Sequence, residues 1–313
     1  LYDTLARPLD QVARQEKLTH LFLWLDGPLR YVPFGALEAP DGTYLADRYA
    51  IAVLAGIGMP SAQSAGAPGN GSPLRVLGFG VTQAVAGFQP LPGMADELCY
   101  VVDGPITGLA THSAACRGAA AGDGALPGEG FADRAFTTQR FETSLRAPHS
   151  YTVLHVGTHF SLRPGNAMRS FLVLGDGSRL MLDTLATLDF TGLDLVTLSA
   201  CQTAMSGGQA DDGREIEGLS SIVQQRGAKQ VVAGLWRVED QSTALLMHSM
   251  YLALAADSTD VAGALQQAQK RLRTLAVDGR HPYAHPYYWA AFVVSTRELS
   301  LAQYSGTSLI GWL

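Results

Sequence analysis

A chain of 313 residues with 47% apolar and only 16% charged residues has ample material for a buried core, which excludes the disordered class. Its net charge of −6 lacks the basic footprint of nucleic-acid binding, and no apolar run approaches the ~18–20 residues that span a bilayer. Neither nucleic acid nor membrane is an expected partner, and the length allows one large domain or two medium ones.

The first residues, Leu1 to Leu5, have no basic n-region and no apolar h-region, so they do not read as a signal peptide. With no initiator Met, the chain reads as a domain cut from a longer polypeptide. Apolar runs bounded by Gly, Pro and Asp then recur. Leu21–Leu25 ends at Asp26-Gly27-Pro28, and Val76–Phe79 follows a stretch rich in Gly, Ser, Ala and Pro over residues 61–74. Residues 104–130 are dominated by Gly and Ala without a period and read as a mobile loop between two halves. Val153–Val156 runs into Gly157-Thr158-His159, and Phe171–Leu174 ends at Gly175-Asp176-Gly177. Leu195–Leu198 runs into Ser199-Ala200-Cys201, and Val231–Trp236 stops at a charged turn. Short continuous apolar runs imply strands buried on both faces, hence a parallel sheet. Thr243–Leu254 and the stretch from Val261 to Leu275 carry the 3.6-residue period of helices. Strands alternating with helices predict a layered α/β sandwich with right-handed crossovers.

The cysteines are Cys99, Cys116 and Cys201. An odd count argues against a disulfide framework, no Cys-x-x-Cys pair suggests zinc, and a reducing cytoplasm is the simplest compartment. In open parallel sheets, active sites form beyond the carboxyl ends of strands. His159 and Cys201 each follow such an end by three residues. Neighbouring strands lie about 4.8 Å apart, so groups leaving adjacent ends can meet as a thiol and its base. The competing reading makes Cys201 a small buried hydrophobe at a strand end. His155 lies inside its strand and reads as a packed or hydrogen-bonded core residue. No Gly-x-Ser-x-Gly elbow and no phosphate-binding Gly-Lys-Ser/Thr loop is present. His281 and His285 have a metal-like spacing, but their prolines preclude a regular helix. Asp211-Asp212-Gly213 with Glu215 lacks the full register of a calcium loop and reads as a solvated turn. No metal and no cofactor is expected.

The segments LDGPLRYVPFGAL (Leu25–Leu37), LPGMADE (Leu91–Glu97), LHVGTH (Leu154–His159), LSACQTA (Leu198–Ala204), GLWRVEDQST (Gly234–Thr243) and HPYYWAAF (His285–Phe292) together resemble the CHAT domain, a bacterial peptidase-like family related to caspases and separases. The resemblance covers nearly the whole chain. It implies a caspase-like αβα sandwich of two halves: residues 1–135 without a dyad, with residues 104–135 as linker, and residues 136–313 catalytic. It also implies a cysteine endopeptidase acting on protein or peptide substrates, with Cys201 as nucleophile and His159 as base. The backbone N–H groups of Cys201 and Phe160 would then stabilise the oxyanion. Family members commonly have Gly where Phe160 stands. The N–H survives that change, but a bulky side chain at the cleft rim would alter backbone angles or narrow access. A catalytically inactive scaffold is the alternative. Proteins with such domains usually carry a sensing module, which here would lie outside this sequence.

Asp240 follows the strand after the nucleophile strand, and a right-handed crossover brings that strand's end near Cys201. The segment also resembles one in separases where an acidic residue holds a substrate Arg. Two roles stay open: a pocket carboxylate that grips Arg or Lys, with Arg237 as a potential neutralising neighbour, or a cap for the helix starting near Gln241. Trp236 and Trp289 read as core or cleft wall.

Overall fold

The computed structural model describes residues 1–55, 73–109, 124–146, 148–161, 170–199, 214–297 and 308–312. The strands are β1 (His20–Trp24), β2 (Ala50–Leu54), β3 (Val76–Gly80), β4 (Val102–Asp103), β5 (Ile106–Thr107), β6 (Leu126–Ala132), β7 (Val153–Gly157), β8 (Phe160–Ser161), β9 (Phe171–Val173), β10 (Arg179–Met181), β11 (Leu195–Leu198), β12 (Gln230–Gly234), β13 (Phe292–Thr296) and β14 (Ser308–Trp312). One sheet runs β14-β1-β2-β13-β12-β11-β7-β3-β6-β4, with β5 also on β6. Among its described pairings only β12 with β13 is antiparallel. Strands from before residue 135 lie on both sides of the block β13-β12-β11-β7, which comes after it.

The apolar runs form this sheet because successive side chains point to opposite faces, and here both faces are covered. Val76, Val153, Leu195 and Val232 join one buried cluster with Met247, Tyr251 and Leu265 from the helices Asp240–Ala256 and Val261–Thr274. Their chain neighbours Leu77, Leu154, Val196 and Val231 join the other with Phe141 and Val223. The layers are therefore helix, sheet, helix, a mixed α/β fold consistent with a caspase-like sandwich. No described helix is long and apolar enough to cross a membrane.

Three expectations are corrected. Residues 104–130 are not simply a loop: Leu126–Ala132 form β6, which lies inside the sheet between β3 and β4. Its glycines signal close backbone approach, since a Cβ at Gly128 would lie 1.9 Å from the Val76 carbonyl oxygen. The run at Phe171 belongs to a separate antiparallel sheet, β10-β9-β8, rather than to the parallel one. Cys99 is disulfide-bonded despite the odd cysteine count; Cys116 and Cys201 lie outside the described residues.

Trp289 is 1% exposed, edge-on to Tyr44 with ring centroids 5.1 Å apart, and its indole N–H donates to the Ala284 carbonyl at 3.1 Å. The Arg273 guanidinium lies 5.5 Å from its ring centre. Trp289 thus ties the loop before β13 to the segment after β1. We expect Trp289→Ala to lower unfolding stability by about 3–5 kcal/mol in urea titration, with loss of substrate turnover only in proportion to loss of folded protein. A stable variant with selectively weakened substrate binding would instead make Trp289 a pocket wall.

Candidate active site

β7 and β11 are adjacent and parallel, with His155 opposite Thr197 and Val156 opposite Leu198. The Ser199 N–H donates to the Val156 carbonyl at 2.9 Å, which carries the pairing one residue past β11. The two strand ends are thereby fixed side by side. Cys201 follows Ser199 by two residues and lies outside the described residues, as does its N–H.

His159 leaves the end of β7 in a two-residue link to β8. That link is pinned twice to β9: Thr158 Oγ1 donates to the Val173 carbonyl, and the Val173 N–H donates to the His159 carbonyl at 2.9 Å. The His159 ring is fully buried, and the Phe88 ring stacks on it at 4.9 Å. Its Nε2 lies 2.8 Å from the Gln89 carbonyl oxygen. A carbonyl only accepts, so Nε2 carries the ring proton and Nδ1 is the basic nitrogen of the neutral ring. The loop that supplies Phe88 and Gln89 is itself anchored by Asp133. Its carboxylate accepts from the Thr82 N–H at 2.8 Å, the Thr82 hydroxyl at 2.7 Å and the Gln83 N–H at 3.2 Å. Nothing in the sequence marks Gln89 for this work, because its contribution is a backbone carbonyl.

Phe160 and Leu172 face each other across β8 and β9. The bond from the Val173 N–H to the His159 carbonyl makes theirs a non-hydrogen-bonded pair, so the Phe160 N–H is not spent on that ladder. The Phe160 side chain is 4% exposed and packs in the core on the far side of the sheet from Tyr251.

A pocket opens beside these strand ends, with Glu97, Ser199, Trp236, Arg237 and Asp240 among its lining. Asp240 is the first residue of its helix, not the cap; the cap position is Glu239, whose carbonyl accepts from the Ser242 and Thr243 hydroxyls. The Asp240 carboxylate takes the Gly93 N–H instead. Gly93 must be small here, since a Cβ would lie 2.5 Å from that of Asp240. Burial, and then the neighbouring Glu97 and Glu239 carboxylates, push the Asp240 carboxyl above the usual carboxylate range, with the Gly93 N–H and Arg237 opposing. Trp236 forms part of the wall and donates its indole N–H to the Tyr287 carbonyl at 3.0 Å.

His155 is the buried core residue that its mid-strand place predicts: it is 0% exposed, with Nδ1 3.1 Å from the Tyr251 hydroxyl. His285 uses Nδ1 to accept the Tyr287 N–H and start a short helix. No group of three or more His, Cys, Asp or Glu side chains that could hold a metal occurs among the described residues. The candidate calcium segment at Asp211-Asp212-Gly213 lies outside them.

The site therefore joins a histidine with a defined tautomer, the end of a parallel strand beside it, and an acidic pocket. No curated protein matches the chain. The model of the CHAT domain, a caspase-like family related to cysteine peptidases, matches residues 1–297, and with this sheet and these strand ends the chain belongs to the CHAT-domain family.

Proposed function

We propose that this domain is a cysteine endopeptidase in which Cys201 is the nucleophile and His159 its base. The observation that carries the reading is the state of His159. Its Nε2 proton is committed to the Gln89 carbonyl, and its Nδ1 is basic at the carboxyl end of β7, beside the end of the strand that leads to Cys201. In the reaction, Nδ1 accepts the thiol proton and the thiolate attacks the scissile carbonyl of a protein or peptide. The N–H groups of Phe160 and Cys201 receive the oxyanion, and His159 returns its proton to the leaving amine. Water then hydrolyses the thioester. No step calls for a cofactor. We also propose that the domain is a regulated effector module whose sensor lies outside this sequence, with residues 1–135 as the half without a dyad and residues 136–313 as the catalytic half.

The second reading, a non-catalytic scaffold, is favoured by one observation: His159 is wholly buried beneath Phe88. Iodoacetamide alkylation separates the two. We expect Cys201 of the reduced chain to label faster than the other cysteines and to lose that advantage in His159→Ala. Either Cys201→Ala or His159→Ala should lower peptide cleavage by several orders of magnitude, because members of such a unit act together. Turnover near that of the unmodified chain in either variant would remove the dyad.

We further propose that Asp240 selects Arg or Lys before the scissile bond, through paired hydrogen bonds to a basic side chain. Its carboxyl is raised above the usual range, so falling pH neutralises it early. Preference for an Arg substrate over a Leu substrate should therefore decline as pH drops through that raised value, and Asp240→Asn should show a small preference that does not change with pH. The stability sign is opposite to that of a helix cap. A raised folded-state value means that the group favours folding most at low pH and loses that contribution as pH rises through it. Asp240→Asn should thus keep or raise the melting temperature at neutral pH. A clear fall there, with equal loss of activity on both substrates, would assign Asp240 a structural role.

A further inference from the structure

Glu97 has no part in the peptidase steps, yet it is the most buried acidic residue at the site, 3% exposed on the helix Gly93–Val101. Its Oε1 accepts from the Ser199 hydroxyl, at the end of the strand leading to Cys201. The same oxygen lies 3.1 Å from His155 Nε2, on the strand leading to His159. On the far side of that imidazole, Nδ1 is 3.1 Å from the Tyr251 hydroxyl, which is 2.7 Å from Thr197 Oγ1. Thr197 is the register partner of His155. The hydrogen bonds therefore run in two pieces, from Glu97 to Ser199 and from Thr197 through Tyr251 to His155, and His155 Nε2 faces Glu97 Oε1 across 3.1 Å without a hydrogen bond between them. His155, Thr197 and Tyr251 are each fully buried.

Glu97 Oε1 is thus the polar atom set against the buried His155 Nε2, which makes no hydrogen bond of its own. Among the described residues, the hydrogen bonds that hold β7 to β11 run as far as the Ser199 N–H. The Glu97 carboxylate touches both strands at that place. The Ser199 bond is its directed contact. Glu97 also lines the pocket shared with Asp240, so a substrate-binding role is the alternative to be tested.

We propose that Glu97 is a positioning residue, which clamps the end of β11 against β7 through Ser199 and His155 and so sets the separation of the segments carrying Cys201 and His159. This inference rests on the peptidase reading. The test compares the unmodified chain with Glu97→Gln, Ser199→Ala, Ser199→Thr and His159→Ala. Its readouts are Cys201 alkylation by iodoacetamide, kcat and KM on an Arg-containing peptide, and amide hydrogen exchange of a peptide spanning residues 195–199. We expect Glu97→Gln and Ser199→Ala to slow alkylation and lower kcat by on the order of 10-fold to 100-fold, the scale of a small misplacement of reacting groups, with KM little changed. Exchange over residues 195–199 should quicken in both, and Ser199→Thr, which keeps the hydroxyl, should restore all three readouts.

An effect confined to KM would make Glu97 a substrate contact and overturn the proposal. So would alkylation and exchange matching the unmodified chain. If Glu97→Gln does not fold, the Ala and Thr substitutions at Ser199, which differ by one hydroxyl and a methyl, decide the matter. Failure of the peptidase reading shows up separately, as an unmodified chain whose Cys201 is alkylated no faster than in His159→Ala. The exchange measurement still decides the clamp in that case.

Discussion

The parallel pairing of β7 with β11 is the constraint on which the rest of the site depends. It fixes two chain segments some forty residues apart in sequence so that their carboxyl ends stop side by side. Parallel neighbours require a crossover, and the crossover covers a face of the sheet with apolar structure. Both faces are therefore closed to water, and polar chemistry is confined to the strand ends. That is where His159, Ser199 and Asp240 are found, each just past the end of a strand or at the start of the helix that follows one.

Bringing polar groups to that edge requires close packing behind it. Gly157 ends β7 against Met94, and a Cβ there would lie 1.6 Å from the Met94 sulfur. Gly93 lets the helix start lie against Asp240. These two glycines allow the helix Gly93–Val101 to approach both the histidine strand and the pocket. Only from that distance can Glu97 reach Ser199. The three-residue spacing from Met94 to Glu97 places both on one face of the helix, toward the strand ends. Close backbone approach and buried charge are thus two consequences of one packing arrangement.

Much of this was legible in the sequence because apolar runs are long where a strand is buried on both faces. Val153–Val156, Leu195–Leu198 and Val231–Ala233 declared themselves in that way, and so did the helix from Val261 with its clean period. β6 was not legible. Its sequence, LPGEGFA, places small residues where neighbouring backbones crowd it, and a periodicity search reads that as loop. The antiparallel setting of β9 was also hidden, since three apolar residues do not tell which sheet they join. At the candidate site, the place of His159 just past a strand was legible, whereas Gln89 meets it through a carbonyl that any residue would supply. Asp240 looked as much a helix cap as a pocket residue. Its carboxylate meets the Gly93 N–H of a distant segment, a contact that no local pattern announces.

The division proposed near residue 135 would not divide the proposed chemistry. The residues expected to react, Cys201 and His159, both come after it. What orients and supports them comes from before it. The Gln89 carbonyl fixes the His159 tautomer, Phe88 covers the ring, and Gly93 holds the Asp240 carboxylate. β3 pairs along the whole of β7, from Val76 opposite Val153 to Gly80 opposite Gly157. A segment beginning at residue 136 would keep every residue that the sequence marks as reactive. It would nonetheless present β7 as an unpaired edge and His159 without the partner that decides which nitrogen is basic. The chemistry proposed for this fold would therefore depend on structure from both sides of residue 135, because the carboxyl end of a parallel strand is shaped by its neighbours on either side.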